Sequence, residues 1–281
     1  MKILWVTILS FTFLNPVTQA QKIVSGSVQH SEEKTVIPYV NIGIIKLMRG
    51  TVSDDLGRFS LNYETIKDTV TFSAIGFQPK KLVISELLKS GIVQLEPKMY
   101  TLEDLTIREK ALSEIRELGN NIRKKERSIG FGSTMLGTEI GGLIEIDRET
   151  LIYSAHFIFN NTGEDSLMFR VNLYEMRDGK PFRNLLPENV LFLAPENPGL
   201  VSVDLREYEL VIDKDVILSV EWVKAVSLDT GDIQQISFRA KRKLRKPNTW
   251  FRSTSLVPFV KMDQFVKYDI GFYLTAQQVK K

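Results

Sequence analysis

Hydrophobic and polar residues alternate along the first third of the chain, in short runs separated by turn residues. Val70, Phe72 and Ala74 alternate with polar residues in one run. The others are KIVSGSVQ, YVNIGIIKL, GRFSLNY, KKLVIS and GIVQLE. A period of two is typical of strands with one buried face. Even spacing with turn residues between the runs therefore predicts about six strands in residues 21–107, folded as a small β-sandwich or barrel.

The segment 108–130 breaks this alternation. Ala111, Ile115, Leu118 and Ile122 recur at helical spacing, with charged residues around them. This spacing predicts a short amphipathic helix, or two, because a glycine weakens the centre. Two interpretations remain open: a linker that docks on one domain, or a helix that binds a partner.

From residue 131 to residue 281 the alternation returns. In LIYSAHFIFNN the pattern places on one face Leu151, Tyr153, Ala155, Phe157 and Phe159. About eight such strands, each with one apolar face, predict an antiparallel sandwich, and a jelly roll is the favoured type. The predicted fold is all-β, with two sandwiches joined by a short helical linker.

The first 20 residues have the pattern of a secretory signal peptide. One basic residue, Lys2, precedes an apolar run from Ile3 to Leu14, and small or polar residues lead to Ala20. An uncleaved anchor is the alternative. We expect cleavage near Ala20 and Gln21, and a mature chain without a transmembrane span. We expect that chain in the periplasm, or associated with the cell surface or outer membrane.

Composition removes several function classes. The chain has no cysteine, so disulfides, thiolate nucleophiles and cysteine-bound metals are excluded. The formal net charge is +3, which gives no general reason to expect nucleic-acid binding. The two histidines, His30 and His156, have no second histidine or carboxylate at ligand spacing, so we predict no zinc site, no Ser-His-Asp triad and no cofactor.

Several motifs in the first region resemble the carboxypeptidase-regulatory-like, or transthyretin-like, domain. They are Gly26-Ser27-Val28, Pro38 before Val40-Asn41-Ile42, Gly50-Thr51, Asp54-Asp55-Leu56-Gly57-Arg58-Phe59, Ser73-Ala74-Ile75-Gly76-Phe77 and Leu102-Glu103-Asp104-Leu105.

This resemblance implies a seven- or eight-stranded, Ig-like sandwich over residues 21–107. Such domains are accessories in carboxypeptidases and in TonB-dependent outer-membrane receptors of Bacteroidetes-type bacteria. The resemblance implies a non-catalytic module and brings no catalytic residues. In the second half, the stretches FRVNLYEMRDGKPFRNLLPENV, VDLREYEL and LSVEWV resemble domains that follow the same module in uncharacterised exported proteins of such bacteria. That resemblance suggests a family but brings no known activity.

Asp54 and Asp55 are the most acidic feature of the first region. Asp-x-x-Gly before a strand is turn chemistry, because the Asp side chain caps backbone N–H groups and Gly57 permits a positive φ. A weak calcium site and an acid/base pair are the alternatives, and the few oxygen atoms nearby disfavour calcium. We predict a hairpin turn.

A basic cluster is the first candidate for binding. Its members are Arg239, Lys241, Arg242, Lys243, Arg245 and Lys246. In an exported protein these cations could meet anionic lipid, lipopolysaccharide phosphate or an acidic partner surface. The alternative is a solvated strand edge, where lysines prevent edge-to-edge aggregation.

Aromatic residues supply the second candidate. Tyr174, Trp250 and Phe251 could form a ligand platform, as aromatic faces do in carbohydrate-binding sandwiches, or they could pack inside the fold. Trp222 lies in an alternating run and is predicted to be core.

These observations favour a non-catalytic, exported cell-envelope protein that acts as a binding or scaffold component. Its expected partner is an envelope protein or glycan. The alternative function is a carbohydrate- or peptide-binding accessory of a TonB-dependent uptake system, and a hydrolase lacks any supporting motif.

Overall fold

The computed structural model describes residues 22–98, 112–124, 127–132, 136–161, 167–224, 235–243, 247–264 and 267–280. The predicted signal peptide lies outside these ranges. Within them, no helix is both long and apolar enough to cross a membrane.

Residues 22–98 form two small sheets that pack face to face. One sheet contains β1 (Lys22–His30), β4 (Arg58–Tyr63) and β7 (Ile92–Leu95). The other contains β2 (Asn41–Ile44), β3 (Arg49–Val52), β5 (Thr69–Ser73) and β6 (Lys80–Val83). The strand orders are β4-β1-β7 and β3-β2-β5-β6. The all-β prediction for this region is confirmed.

Alternation explains the core of this first unit. Val28 of β1 and Phe72 of β5 are fully buried between the sheets, as the period of two requires. One predicted strand is partly wrong, because KKLVIS leaves the sheet at Val83 and continues as α1 (Ile84–Ser90). Ile84 and Leu87, three residues apart, turn one helical face into the same core.

The remaining strands form two larger antiparallel sheets. We call the first the junction sheet, and it contains β10 (Glu139–Ile144), β12 (Met168–Arg177), β13 (Lys180–Asn184), β14 (Val190–Leu193), β17 (Val216–Lys224), β19 (Thr249–Arg252) and β20 (Val260–Lys261). We call the second the outer sheet, and it contains β8 (Arg116–Gly119), β9 (Arg127–Gly132), β11 (Thr150–Asn161), β15 (Leu200–Asp204), β16 (Val211–Ile212), β18 (Gln235–Arg242), β21 (Tyr268–Ile270) and β22 (Phe272–Gln278).

These two sheets enclose one apolar core, so the predicted antiparallel sandwich is confirmed. Phe169 and Trp222 enter it from the junction sheet, and Phe157 and Phe238 enter it from the outer sheet. Aromatic rings meet edge to face across this core: the ring centroids of Phe159, from the outer sheet, and Phe169, from the junction sheet, are 6.1 Å apart.

The predicted face of β11 is correct in its second half and wrong in its first. Ala155 and Phe157 are fully buried, but so is Ile152, whereas Leu151 and Tyr153 are only half-buried. The pairing of β11 with β22 shifts by one residue between Ile152 and Ser154. A bulge of this kind moves every earlier side chain to the opposite face.

The helical linker predicted for residues 108–130 is wrong wherever this segment is described. Residues 116–119 form β8, which pairs with β22, and residues 127–132 form β9, which pairs with β18. Both strands extend the outer sheet. The rest of the prediction, residues 108–111 and 125–126, lies outside the described residues.

Candidate functional site

The predicted basic cluster begins on β18. Lys241 and Arg242 are exposed, and Arg239 is half-buried. Lys243 pairs with Asp269 across 3.2 Å, which neutralises its charge locally. Arg245 and Lys246 lie outside the described residues. Four of the six predicted cations are therefore described, and one of these four, Lys243, is paired with a carboxylate.

Three other cations extend it from the segment that was predicted to be helical. Arg239 Nη1 donates a hydrogen bond of 2.7 Å to the backbone carbonyl of Arg123. Arg127 lies beside Ala240 in the register of β9 and β18. We call the following exposed or half-buried residues the basic corner: Arg123, Lys124, Arg127, Arg239, Lys241 and Arg242. The signal was visible in the sequence IRKKERS, but the helical interpretation separated it from β18.

The predicted aromatic platform is not an exposed surface. Trp250 is 7% exposed, and Phe251 packs against the core. Tyr174 is half-buried and receives a hydrogen bond of 2.7 Å from Arg252 Nη2. Burial raises the pKa of Tyr174 above its usual range. Trp222 is fully buried, as predicted.

A buried arginine joins the two units of the protein. Arg170 is 1% exposed on β12 and forms an ion pair of 2.8 Å with Glu221. Its Nη1 donates to the carbonyl of Tyr39 and to Asn189 Oδ1, and its Nη2 donates to Asn41 Oδ1 at 2.6 Å. Tyr39 and Asn41 belong to the first unit, so this guanidinium is satisfied only when both units are together.

A second carboxylate lies beside this pair. Glu139 of β10 is directly opposite Glu221 in the strand register and is fully buried. It accepts hydrogen bonds from Asn172 and Arg252, at 2.9 and 2.7 Å. Burial raises the pKa of Glu139; the charge of Glu221 acts in the same direction, and that of Arg252 opposes them. The face that alternation predicts to be solvated is therefore a closed network of two acids and two arginines.

Two facing glycines complete this junction. Gly43 of β2 and Gly50 of β3 are paired directly. A Cβ atom on Gly50 would lie 2.0 Å from Thr254 Oγ1, and one on Gly43 would lie 3.3 Å from a methyl carbon of Leu256. The loop after β19 therefore packs on bare backbone of the first unit. An exposed ion pair of 3.1 Å between Lys224 and Asp55 adds a contact between the units.

The acidic turn behaves as predicted. Asp54 Oδ1 accepts hydrogen bonds from the backbone N–H groups of Leu56 and Arg58, at 2.9 and 2.7 Å, and Gly57 has a φ of +70°. The carboxylate of Asp55 accepts a hydrogen bond of 3.1 Å from Lys224 Nζ. In the described ranges, no group of three or more histidine or acidic side chains is placed to hold a metal ion.

His156 is held between two hydroxyl groups on the outer sheet. Its Nδ1 lies 2.8 Å from Ser202 Oγ and its Nε2 lies 2.7 Å from Thr275 Oγ1, and Tyr273 stacks on the ring at 4.3 Å. Burial lowers the pKa of His156. In a catalytic triad, a neutral histidine faces the nucleophilic serine with one ring nitrogen and a carboxylate with the other. Here Ser202 is present, but the Thr275 hydroxyl lies at the position of the carboxylate.

One open groove of about 620 Å³ lies at the edge of the outer sheet, with Leu112, Arg116, Arg148, Gln277 and Lys280 among its walls. Arg148 is paired with Asp147, and the amide of Gln277 donates to the backbone of the segment that precedes β8. The Gln277 hydrogen bond joins β22 to the segment before β8, and both line the groove.

Comparison with known proteins identifies the first unit. Residues 24–107 match the family model described as the CarboxypepD_reg-like domain, which confirms the resemblance seen in the motifs. No curated protein sequence matches the chain.

Solved structures give only distant likenesses. The clostridial cysteine protease Cwp84 after propeptide cleavage is 11% identical with a TM-score of 0.43, and the match covers 59% of this chain and 40% of that one. A structure of the cysteine protease and lectin-like domains of Cwp84, a surface layer associated protein of Clostridium difficile, has a TM-score of 0.40, 11% identity and coverages of 59% and 36%. The structure of infectious bursal disease virus Gx strain has a TM-score of 0.31 and 12% identity, over 98% of this chain and 59% of that one. The chain thus spans less than two thirds of each of these structures. Likenesses at these TM-scores fix neither the fold nor the activity of this chain.

Proposed function

We propose that the protein is a non-catalytic, exported component of the cell envelope that acts as a binding scaffold. The observation that carries this proposal is Arg170, which makes hydrogen bonds to both units from a buried position. If the two units separated, this guanidinium would lose its two acceptors on the first unit, Tyr39 and Asn41, so the contact favours the docked arrangement. The two units are therefore expected to present their outer surfaces at a fixed distance and angle.

The non-catalytic part of the proposal is supported by the two sites that resemble catalytic arrangements. Glu139 and Glu221 form a carboxylate pair, but both are fully buried beneath the junction. His156 and Ser202 face each other, but the other ring nitrogen meets Thr275 instead of a carboxylate that could stabilise an imidazolium. A binding role does not require a reaction at either of these two sites.

The scaffold proposal is tested by combining capture with a change at the junction. Affinity capture from envelope fractions with the wild-type chain should retain an envelope protein or glycan above a control. A chain with Asn41→Ala and Gly50→Ala, which weaken the junction from the side of the first unit, should retain less of it. Small-angle scattering of both proteins should show a larger maximum dimension for the variant. Equal retention by two chains whose shapes differ would show that the fixed arrangement is not needed, and would refute the proposal.

A further inference from the structure

The basic corner concentrates positive charge in a chain that is otherwise nearly balanced. Three of its cations come from β18 and three from the segment between β8 and the start of β9. None of the six forms an ion pair with a carboxylate in the described part of the chain. Like charges that gather without counter-charges repel one another, so an external anion would relieve that repulsion.

Two neighbouring carboxylates show why the corner keeps its charge. Asp269, beside Lys241 in the register of β21 and β18, is paired with Lys243 instead. Glu117 of β8 accepts a hydrogen bond of 2.8 Å from Asn121. Besides burial, the negative charge of Glu117 raises the pKa of Tyr273, and the positive charge of Arg123 lowers it. Both acids therefore already have a partner other than the six cations of the corner.

One member of the corner is held in place by the backbone. Arg239 donates from Nη1 to the carbonyl of Arg123, which ties β18 to the preceding segment and keeps the cations of both together. The others, Lys124 and Lys241 among them, are exposed on long side chains that adapt to a partner. Guanidinium groups stay charged at every physiological pH and bind phosphate oxygens in pairs.

We propose that the basic corner is a docking surface for a membrane leaflet rich in anionic phosphate headgroups. Charge complementarity selects this occupant: the cations come from two chain segments that meet at one corner of the sandwich, which suits a dense array of phosphates. Each lysine or arginine close to such a surface adds to the attraction, and salt weakens it. The inference rests on the proposed function in one respect, that the protein meets surfaces of the envelope.

The test is vesicle binding by the full chain. Wild-type protein is titrated with vesicles of equal parts phosphatidylcholine and phosphatidylglycerol, and with vesicles of phosphatidylcholine alone. The corner variant carries Arg123→Gln, Lys124→Gln, Lys241→Gln and Arg242→Gln, and leaves Arg239 in place. The control variant loses the same four charges from exposed positions on the first unit: Lys46→Gln, Lys67→Gln, Lys81→Gln and Lys89→Gln.

We expect the corner variant to bind anionic vesicles at least about tenfold more weakly than wild type, and the control variant to stay within about twofold. Equal losses in both variants would reduce the effect to net charge and overturn the proposal. Retained binding of wild type to a soluble acidic polymer, without binding to vesicles, would assign the corner to an acidic polymer instead of a membrane and would also overturn it.

A second measurement needs no variant. Anionic vesicles should protect Lys124 and Lys241 of the wild-type chain from acetylation, and should leave Lys46 and Lys89 as reactive as before. Uniform reactivity would contradict the proposal even if a variant misfolds. The vesicle experiments do not depend on the junction, so failure here leaves the scaffold proposal standing, and failure of the capture experiment leaves the membrane proposal standing.

Discussion

Arg170 of β12 donates a hydrogen bond of 2.6 Å to Asn41 of β2, so a buried cation of the second unit is satisfied by a side chain of the first. Arg170→Ala removes this contact and also leaves Glu221 buried without its ion-pair partner. We expect a loss of about 3–5 kcal/mol in the free energy of unfolding, measured with urea near neutral pH.

The matched control for Arg170 is Arg183→Ala. Arg183 also pairs with a glutamate, Glu175, but its side chain is 66% exposed. The arginine lies in water and Glu175 keeps Lys214 as a second partner, so the loss in the free energy of unfolding should be less than about 1 kcal/mol. If the two substitutions lower the free energy of unfolding by the same amount, burial at the junction does not determine the strength of the Arg170 contact.

The facing glycines give a second prediction, about shape. Gly50→Ala places a methyl group 2.0 Å from Thr254 Oγ1, so the loop after β19 must move or the units must separate. We expect a loss of about 1–3 kcal/mol in the free energy of unfolding, with a larger maximum dimension in small-angle scattering.

The control for Gly50 is Gly199→Ala. A Cβ atom at Gly199 meets nothing closer than the carbonyl oxygen of Asn197, at 3.9 Å. That substitution should change the free energy of unfolding by less than about 0.5 kcal/mol and leave the scattering curve unchanged. Unchanged scattering for Gly50→Ala as well would mean that the junction tolerates the added methyl group.

The wrong helix prediction for residues 108–130 shows the limit of local hydrophobic periodicity. Leu118 and Ile122 recur at helical spacing, but β8 takes its hydrogen bonds from β22, far along the chain. Ile115, predicted to face a helix core, is 63% exposed, whereas Ile122 packs with Ile158 and Tyr273. Pairing with a strand far along the chain overrides a weak helical pattern. The local sequence does not show which strand will be the partner.

The junction was hidden for a different reason. Alternation correctly places Arg170 opposite to the core residues Phe169 and Val171, and so predicts that it faces away from the core. Such a face is normally solvated in an antiparallel sheet. Arg170 is buried only because the first unit docks on this face. No hydrophobic periodicity in the sequence predicts that one domain docks on another. By contrast, the turn at Asp54 and the burial of Trp222 depend on neighbours in sequence, and both were predicted.

Glu139 gives a prediction about pH. Burial raises its pKa, so the folded protein binds this proton more tightly than the unfolded chain does. The stabilisation by the protonated group is therefore complete in acid and is lost as pH rises through the folded pKa. Glu139→Gln keeps a polar side chain that cannot titrate. Relative to wild type, the variant should become more stable as pH rises, in urea unfolding between about pH 4 and pH 8. A constant difference across that range would show that Glu139 does not change its protonation on folding.

His156 predicts the opposite slope. Burial lowers its pKa below 6.5, so the folded protein binds this proton less tightly than the unfolded chain does. The stability contributed by the neutral ring is present above pH 6.5 and is lost as pH falls through the folded pKa. His156→Gln can still meet Ser202 and Thr275 but cannot titrate. Wild type should therefore lose stability relative to this variant on acidification.

The same pKa can be read directly by NMR, because the chain has only two histidines. In a His30→Gln background, the one remaining histidine signal should titrate with a midpoint below 6.5. Adding Thr275→Val removes the hydroxyl next to Nε2, at 2.7 Å, and should shift the chemical shifts of the ring without unfolding the outer sheet. A midpoint at or above 6.5 would mean that the ring is solvated, and that Tyr273 and the two hydroxyls do not enclose it in solution.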